Sequence, residues 1–183
     1  MRIIAGAWRG RALVAPPGTA TRPTADRVRQ ALFDMLVHAP WGGREALLGA
    51  FVLDAFAGTG ALGLEALSRG AAEAIFFEAD RTALAALSAN ITACGAGARA
   101  RVVAGDALRP GPRPKVPRSL IFLDPPYGQG LVQRSLNVLR AQAWLAPGCL
   151  VVAETSSLDP VEHGAILLAQ RVYGAALINV WRE

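Results

Sequence analysis

The sequence contains few of the residues from which metal centres and disulfide frameworks are built. Its 183 residues include two cysteines, Cys94 and Cys149, and two histidines, His38 and His163. The cysteines are far apart and have no C-x-x-C spacing, so we predict neither a disulfide framework nor a zinc cluster. We therefore expect a protein without a metal site.

Long hydrophobic runs are also missing. The longest stretch without a charge, residues 82–98, contains serine, threonine, asparagine and glycine, which a membrane interior would not accommodate. The apolar run at residues 3–8 is shorter than the hydrophobic region of a signal peptide, and arginines flank it. We expect a cytoplasmic protein with reduced thiols and no membrane segment.

The composition is that of a globular protein. Apolar residues make up 52% of the chain and charged residues 18%, which excludes a disordered tail, a coiled coil and a collagen-like fibre. The length corresponds to one compact domain, or to one domain with a small appendage.

Positive charge is concentrated at the start of the chain. Residues 1–44 contain seven arginines and two acidic residues, so their balance of 7 − 2 = +5 equals the net charge of the whole protein. Codon usage in a GC-rich genome explains why arginine outnumbers lysine, but it does not explain the clustering. The asymmetry predicts a polyanionic partner such as nucleic acid.

Hydrophobic periodicity predicts an α/β fold. Residues 1–14 are typical of two short strands around a turn at Gly10, and an amphipathic helix follows from Thr24 to Leu36, with Thr24 as its N-cap. Apolar strands then alternate with helices, which predicts a doubly wound, mostly parallel, Rossmann-like sheet. The tail, from residue 166 to 181, predicts an antiparallel hairpin that turns at Gly174. We divide the chain into a basic hairpin-and-helix extension, residues 1–44, and a sheet domain, residues 45–183.

A glycine loop follows the first strand of the sheet domain. Gly58, Gly60 and Gly63 match G-x-G-x-x-G, and Glu78 follows at the end of the next strand, so a dinucleotide-dependent oxidoreductase is one alternative. Asp54, just before the loop, favours another ligand. A carboxylate there would repel a pyrophosphate, whereas S-adenosylmethionine carries an ammonium and a sulfonium.

Two further acidic residues follow strands of the same sheet. Glu78 is suited to accept hydrogen bonds from ribose hydroxyls, and Asp106 from an adenine amino group. The alternative is that these acids only cap helices or face solvent. Because ligands bind at the carboxyl ends of such strands, we favour a cofactor site made of Asp54, Glu78 and Asp106.

The tetrapeptide Asp124-Pro125-Pro126-Tyr127 follows a buried strand. Two prolines by themselves indicate a stiff turn. The acid and the aromatic suggest more: Asp124 and the Pro125 carbonyl can each accept an N–H of an amino group, so that its nitrogen lone pair points at a methyl donor. Tyr127 can stack on a flipped base, and the prolines keep the loop rigid. This chemistry needs no metal.

These motifs resemble a known family. D-P-P-Y, after a sheet that opens with D-x-F-A-G-T-G, is typical of class I S-adenosylmethionine-dependent amino methyltransferases. The blocks at residues 1–13, 21–29 and 60–70 resemble the bacterial enzymes that methylate N2 of one guanine in 16S ribosomal RNA. The resemblance spans nearly the whole chain, and its N-terminal block is the most specific part.

The resemblance implies the roles of the candidate residues. The cofactor would contact Asp54, Gly58, Thr59, Gly60, Glu78 and Asp106, and residues 124–127 would form the catalytic loop. The substrate would be 16S rRNA in an assembled or partly assembled small ribosomal subunit, and we expect a monomeric enzyme. Thr24, at the helix start, is a further candidate for the cofactor's carboxylate.

The arginines near the N-terminus are the candidates for RNA binding. We expect them to form a phosphate-binding face together with the positive end of the following helix. The candidates are Arg2, Arg9, Arg11, Arg22, Arg27 and Arg29. The proline-rich basic segment 109–118 is interpreted as a stiff connector, with a second RNA contact as the alternative.

Other functions remain open at this point. The same tetrapeptide serves adenine-N6 DNA methyltransferases and glutamine methyltransferases. A protein of a different class, a catalytically idle RNA-binding assembly factor, would keep the fold, but intact Asp54 and Asp124 argue against it.

Overall fold

The computed structural model describes residues 1–16, 23–155, 161, 166–174 and 176–183. Eleven helices and strands follow one another in these ranges, with a short 3-10 helix at Arg44–Ala46 after the first helix. They are α1 (Pro23–His38), β1 (Phe51–Asp54), α2 (Ala61–Ser68), β2 (Glu73–Glu78), α3 (Arg81–Cys94), β3 (Ala100–Ala104), β4 (Arg118–Leu123), α4 (Leu131–Ala141), β5 (Leu145–Thr155), β6 (Ile166–Tyr173) and β7 (Ala176–Arg182).

Seven strands form one sheet in the order β3-β2-β1-β4-β5-β7-β6. Strands β1 to β5 are parallel, and β7 lies antiparallel between β5 and β6. The doubly wound sheet with a closing antiparallel hairpin is therefore confirmed. The chain order reverses at β1 and β4, so their carboxyl ends flank the crevice where such sheets bind ligands.

Side chains point alternately to the two faces of the sheet along each strand, and this divides the core into two parts. Val52 and Phe76 pack on one face with the helices α2 and α3 and with Leu36 of α1, while Leu53 and Phe77 pack on the other. Successive side chains of a strand point to opposite faces, so strands that are buried on both sides must be apolar throughout.

The N-terminal segment differs from the hairpin that we predicted. Its two expected strands reduce to a single antiparallel bridge between Arg2 and Ala12. Gly6, in the turn between them, has φ +83°, and a Cβ there would lie 1.9 Å from the Ser68 carbonyl oxygen. The segment thus presses its backbone against α2, and it hydrogen-bonds to that helix as well as to itself. Helix α1 begins at Pro23, so Thr24 lies inside its first turn and is not the N-cap.

Glu65 of α2 holds this segment in place. Its buried carboxylate accepts hydrogen bonds from the backbone N–H groups of Ile4, at 2.7 Å, and Ala5, at 3.0 Å. Arg69 forms an ion pair with it at 2.7 Å, and Arg29 of α1 approaches to 4.0 Å. The basic N-terminal extension is thus joined to the sheet domain by buried polar contacts as well as by apolar packing.

The basic proline-rich segment between β3 and β4 contains no helix. Pro110 and Pro114 are buried, and Trp144 donates a 3.4 Å hydrogen bond to the Gly111 carbonyl. Arg118 is also buried, and it forms a 2.6 Å ion pair with Glu73. These contacts pack the segment against the sheet domain, and its role as a stiff connector stays a prediction. Within the described ranges, no helix is long and apolar enough to cross a membrane.

Candidate active site

A cavity of about 660 Å³ opens at the carboxyl ends of the central strands. Its walls come from the end of β1 and the glycine loop, the loop after β4, the end of β5, the β6–β7 turn and one side of α1. This volume is within the range of small-molecule sites. The lining residues Asp54, Asp124 and Glu154 meet here because the parallel strands β1, β4 and β5 bring their carboxyl ends to one edge of the sheet.

Asp54 lies at the floor of the cavity and is 1% exposed. Its Oδ2 accepts a 2.9 Å hydrogen bond from the Gly63 N–H, at the start of α2. Burial raises the pKa of Asp54 to about 7; the Gly63 hydrogen bond opposes this rise, and the negative charge of Glu78 adds to it. An ionised Asp54 therefore lacks a sufficient partner within the protein, which makes the floor suited to a cationic ligand.

The three glycines of the loop have different functions. Gly58 lines the cavity with φ +53° and open space where a Cβ would stand. A Cβ on Gly60 would meet Leu87 at 2.4 Å, and one on Gly63 would meet Phe76 at 2.3 Å. Gly60 and Gly63 therefore allow α2 to pack closely, while Gly58 keeps its part of the cavity wall free of a side chain. Thr59, next to it, also lines the cavity.

Glu78 and Asp106 lie outside the cavity lining. Glu78 accepts hydrogen bonds from the N–H groups of Gly58, at 2.6 Å, Ala79, at 2.8 Å, and Asp80, at 2.7 Å. Asp106 is exposed and accepts from Leu108 N–H at 2.8 Å. In this conformation both carboxylates satisfy backbone groups, and Glu78 supports the glycine loop from behind. Their direct contact with a cofactor stays a prediction.

The catalytic loop that we predicted begins where β4 ends. Asp124 and Tyr127 line the cavity, Pro125 is buried behind them, and Pro126 is exposed. The surrounding protein removes water from the carboxyl of Asp124, and this is the main reason that its pKa is raised to about 7. The negative charges of Glu154 and Asp54 add to the rise. The residue is nevertheless exposed along its open side, so its carboxylate can reach a ligand in the cavity.

Glu154, at the end of β5, is a site residue that the sequence analysis missed. The hydroxyl of Tyr127 donates a 2.5 Å hydrogen bond to its Oε1, and the carboxylate lines the cavity beside Asp124. Burial and the hydrogen bond to Glu154 raise the pKa of the Tyr127 hydroxyl, so the phenol stays protonated. The available signal was an acid at the carboxyl end of a predicted strand, the same signal that indicated Asp54.

The electrostatic character of the cavity is acidic. Asp54, Asp124 and Glu154 all line it. Arg29 lines it as well, but its guanidinium donates to Asp26 at 3.0 Å and to the Arg2 carbonyl at 2.5 Å. This charge distribution favours a cation and opposes a pyrophosphate. Over the described part of the chain, no cluster of three or more histidine, cysteine, aspartate or glutamate side chains is arranged to hold a metal.

The candidate RNA-binding arginines separate into groups. Arg2, Arg9 and Arg27 are exposed around a second groove of about 500 Å³, which Asp26 and Gln30 also line. Arg11 is exposed elsewhere and donates to the Ala93 carbonyl. These four residues remain candidates for RNA contact.

Arg29 requires a correction, because it is 5% exposed and ion-paired with Asp26. It cannot be part of a phosphate-binding face while it is buried in that pair. Arg22 lies outside the described residues. Thr24 lies in α1, but its side chain is outside the described set, so its proposed contact with a cofactor stays a prediction.

Comparison with known proteins places this geometry among methyltransferases. The family described as conserved hypothetical protein 95 matches residues 1–182. Ribosomal RNA small subunit methyltransferase D of Escherichia coli (strain K12) is 43% identical over 164 residues, which cover 90% of this chain and 77% of that protein.

Solved structures show the same likeness. Putative methyltransferase yhhF from Escherichia coli matches with a TM-score of 0.85 and 38% identity, covering 100% of this chain and 97% of that one. An RNA methyltransferase from Salinibacter ruber, in complex with S-adenosyl-L-homocysteine, shares the fold with a TM-score of 0.63 and 15% identity, covering 88% and 93%.

Proposed function

The chain belongs to the family described as conserved hypothetical protein 95, and on this premise we propose that it transfers a methyl group from S-adenosylmethionine to N2 of one guanine in 16S rRNA. One observation carries the proposal. Asp124 and Tyr127 of the D-P-P-Y loop face the same cavity as Asp54 and the glycine loop. A methyl donor and an amino group can therefore meet in one enclosed space.

The cofactor side of the cavity suits S-adenosylmethionine. Asp54 would face the positive charge of the donor. The loop at Gly58 and Thr59, where Gly58 has no side chain, would lie against the polar groups of the donor. When bound, the donor supplies a methyl group already activated by the sulfonium. The relative named as a small subunit rRNA methyltransferase and the fold neighbour crystallised with S-adenosylhomocysteine support this assignment.

The base side of the cavity is formed by the catalytic loop. Asp124 and the Pro125 carbonyl would each accept one N–H of the exocyclic amino group. The nitrogen can then become pyramidal, and its lone pair, no longer delocalised into the ring, can point at the methyl group of the sulfonium. Tyr127, which is 43% exposed at the rim, would stack on the flipped base. Because its pKa is near neutrality, Asp124 is also suited to take the proton that the nitrogen loses on methylation.

The groove around Arg2, Arg9 and Arg27 would bind the RNA backbone. Three exposed guanidinium groups that share one groove with a single aspartate provide contacts to phosphate oxygens. We propose that the substrate is a small ribosomal subunit, at least partly assembled, and that the enzyme acts as a monomer in the cytoplasm.

Nucleoside mass spectrometry of 16S rRNA from a deletion strain tests this function. We expect the loss of a single N2-methylguanosine, which the gene restores and an Asp124→Ala variant does not. Loss of N6-methyladenosine instead would indicate an adenine methyltransferase. Unchanged rRNA nucleosides would contradict methylation of 16S rRNA, and an assembly defect that the Asp124→Ala variant repairs would indicate a non-catalytic assembly factor.

A further inference from the structure

Glu154 stands beside the catalytic aspartate because of the register of the sheet. Strands β4 and β5 are parallel neighbours, and Leu123 pairs with Ala153. Asp124 and Glu154 directly follow this pair at the same edge, where adjacent strands lie roughly 5 Å apart. Both carboxylates line the cavity, and the negative charge of Glu154 contributes to the raised pKa of Asp124.

The hydrogen bond from Tyr127 orients the Glu154 carboxylate. Among the described residues Glu154 accepts this one hydrogen bond, at 2.5 Å, and it does so through Oε1. Within that part of the chain Oε2 is therefore available to a ligand. The same hydrogen bond fixes Glu154 relative to the Tyr127 ring, which would stack on the base. Glu154 and the plane of the base are therefore positioned together.

We propose that Glu154 reads the N1–H of the target guanine, next to the amino group that Asp124 holds. This inference rests on the proposed function and adds the residue that selects guanine. Guanine presents two neighbouring donors at this edge, N1–H and N2–H₂. Two adjacent carboxylates offer acceptors only, so they complement that edge.

The same pair of carboxylates rejects the other amino bases. Adenine and cytosine each place a ring nitrogen with a lone pair next to the amino group. That lone pair would face the Glu154 carboxylate, and neither partner would have a hydrogen to donate. Sites built around a substrate hydrogen bond reject analogues that lack it strongly, because the buried polar group is left unpaired.

The experiment compares guanine with 2-aminopurine at the target position of reassembled small subunits, once that position has been mapped. 2-Aminopurine keeps the amino group but has a lone pair at N1 in place of N1–H. We expect the wild-type enzyme to prefer guanine by at least about 100-fold in kcat/KM. In Glu154→Gln the preference should fall at least about tenfold, because an amide presents either an oxygen or an N–H₂ to N1.

The Tyr127→Phe variant is the matched control. It removes the hydroxyl from Glu154 but keeps both the carboxylate and an aromatic ring. If Glu154 only anchored Tyr127, the two variants would lose selectivity equally. We expect Tyr127→Phe to keep more of the preference for guanine than Glu154→Gln does, because the carboxylate remains although it loses the hydrogen bond that orients it. The preference for guanine over 2-aminopurine in each variant is divided by the same preference in the wild type. This division cancels the other differences between the two bases.

Further measurements keep the outcomes distinct. Binding of S-adenosylhomocysteine by each variant checks folding. Glu154→Asp keeps the charge but shortens its reach, so it should act more slowly on guanine while still rejecting 2-aminopurine.

Unchanged selectivity in Glu154→Gln, with the wild type still forming N2-methylguanosine, would overturn the role of Glu154 and leave the proposed function standing. A wild type that forms no N2-methylguanosine would overturn both.

Discussion

The carboxylate of Asp54 and the backbone N–H of Gly63 are joined by a 2.9 Å hydrogen bond where β1 turns into α2. A dinucleotide-binding protein of this fold places a pyrophosphate at that helix start. Here a buried acid takes a hydrogen bond from the same turn. The G-x-G-x-x-G spacing is thus retained, while a carboxylate of the protein takes the place of a bound anion.

The first prediction concerns the effect of this buried acid on the free energy of unfolding. Because its pKa is raised to about 7, the folded state retains a proton that the unfolded chain releases near pH 4. The stabilisation that Asp54 contributes is therefore present below pH 4 and is lost as the pH rises through 7, at a maximum cost of roughly 4 kcal/mol.

Asp54→Asn should accordingly be more stable than the wild type at pH 8, with a difference that shrinks towards pH 4. Denaturant unfolding across this range measures it. The variant should also bind S-adenosylhomocysteine more weakly, because it lacks the charge that we propose for binding the ammonium. Asp34→Asn, an exposed substitution on α1, is the control. Equal stability of the wild type and Asp54→Asn at pH 8 would show that the acid is not destabilising.

The second prediction concerns Asp124. Asp124→Ala should lower turnover about 100-fold or more while cofactor affinity stays nearly constant, because the lost contacts orient the amino group mainly in the transition state. Single-turnover methylation and calorimetry separate these effects. Loss of cofactor binding without a slower chemical step would instead assign Asp124 to the cofactor site.

The pH dependence follows from the same residue. An acid with a pKa of about 7 can take up the proton of the amino group only when it is ionised, and the ionised form is also the stronger hydrogen-bond acceptor. We expect kcat/KM to fall as the pH drops below about 7, and the limb of the kcat profile to lie at lower pH, because a bound cationic donor favours the ionised acid. Asp54 titrates in the same range, so the profile of Asp54→Asn shows which acid is responsible.

The third prediction concerns the attachment of the N-terminal segment. Glu65→Ala removes the acceptor of the Ile4 and Ala5 N–H groups and a buried counter-charge of Arg69. We expect a loss of roughly 3–5 kcal/mol in the free energy of unfolding. Amide exchange at Ile4 and Ala5 should become faster.

Glu45→Ala, at an exposed site in the 3-10 helix, provides the comparison for this variant and should change stability by less than about 0.5 kcal/mol. If Glu65→Ala unfolds no more easily than Glu45→Ala, the buried network does not hold the segment.

The fourth prediction concerns RNA binding. Replacing Arg2, Arg9 and Arg27 with alanine should reduce the salt dependence of substrate binding by roughly 0.7–0.9 per lost phosphate contact. Affinity for S-adenosylhomocysteine should not change. A triple alanine variant at exposed positions elsewhere, Arg81, Arg101 and Arg134, has the same net charge and should keep the wild-type salt slope. Identical slopes for both triple variants would mean that the groove makes no specific contact.

The sequence was informative about the fold because the signals of strands and helices are local. Periodicity predicted the alternation of strands and helices that the sheet domain shows. It also placed Asp54 and Asp124 at strand ends, and parallel strands necessarily bring such ends to one edge. The two N-terminal strands reduce to one bridge because backbone N–H groups between them bond to Glu65 and Ser68, far away in the sequence.

What the sequence alone determined is therefore the sheet, its ligand-binding edge and two of the acids at that edge. The tertiary structure decided which side chains face the cavity. Glu78 and Asp106 bond to nearby backbone, Glu154 turns towards Tyr127, and Arg29 is buried by its ion pair. The direction of a long polar side chain depends on the partners that folding brings within hydrogen-bonding distance, and those partners come from distant parts of the chain.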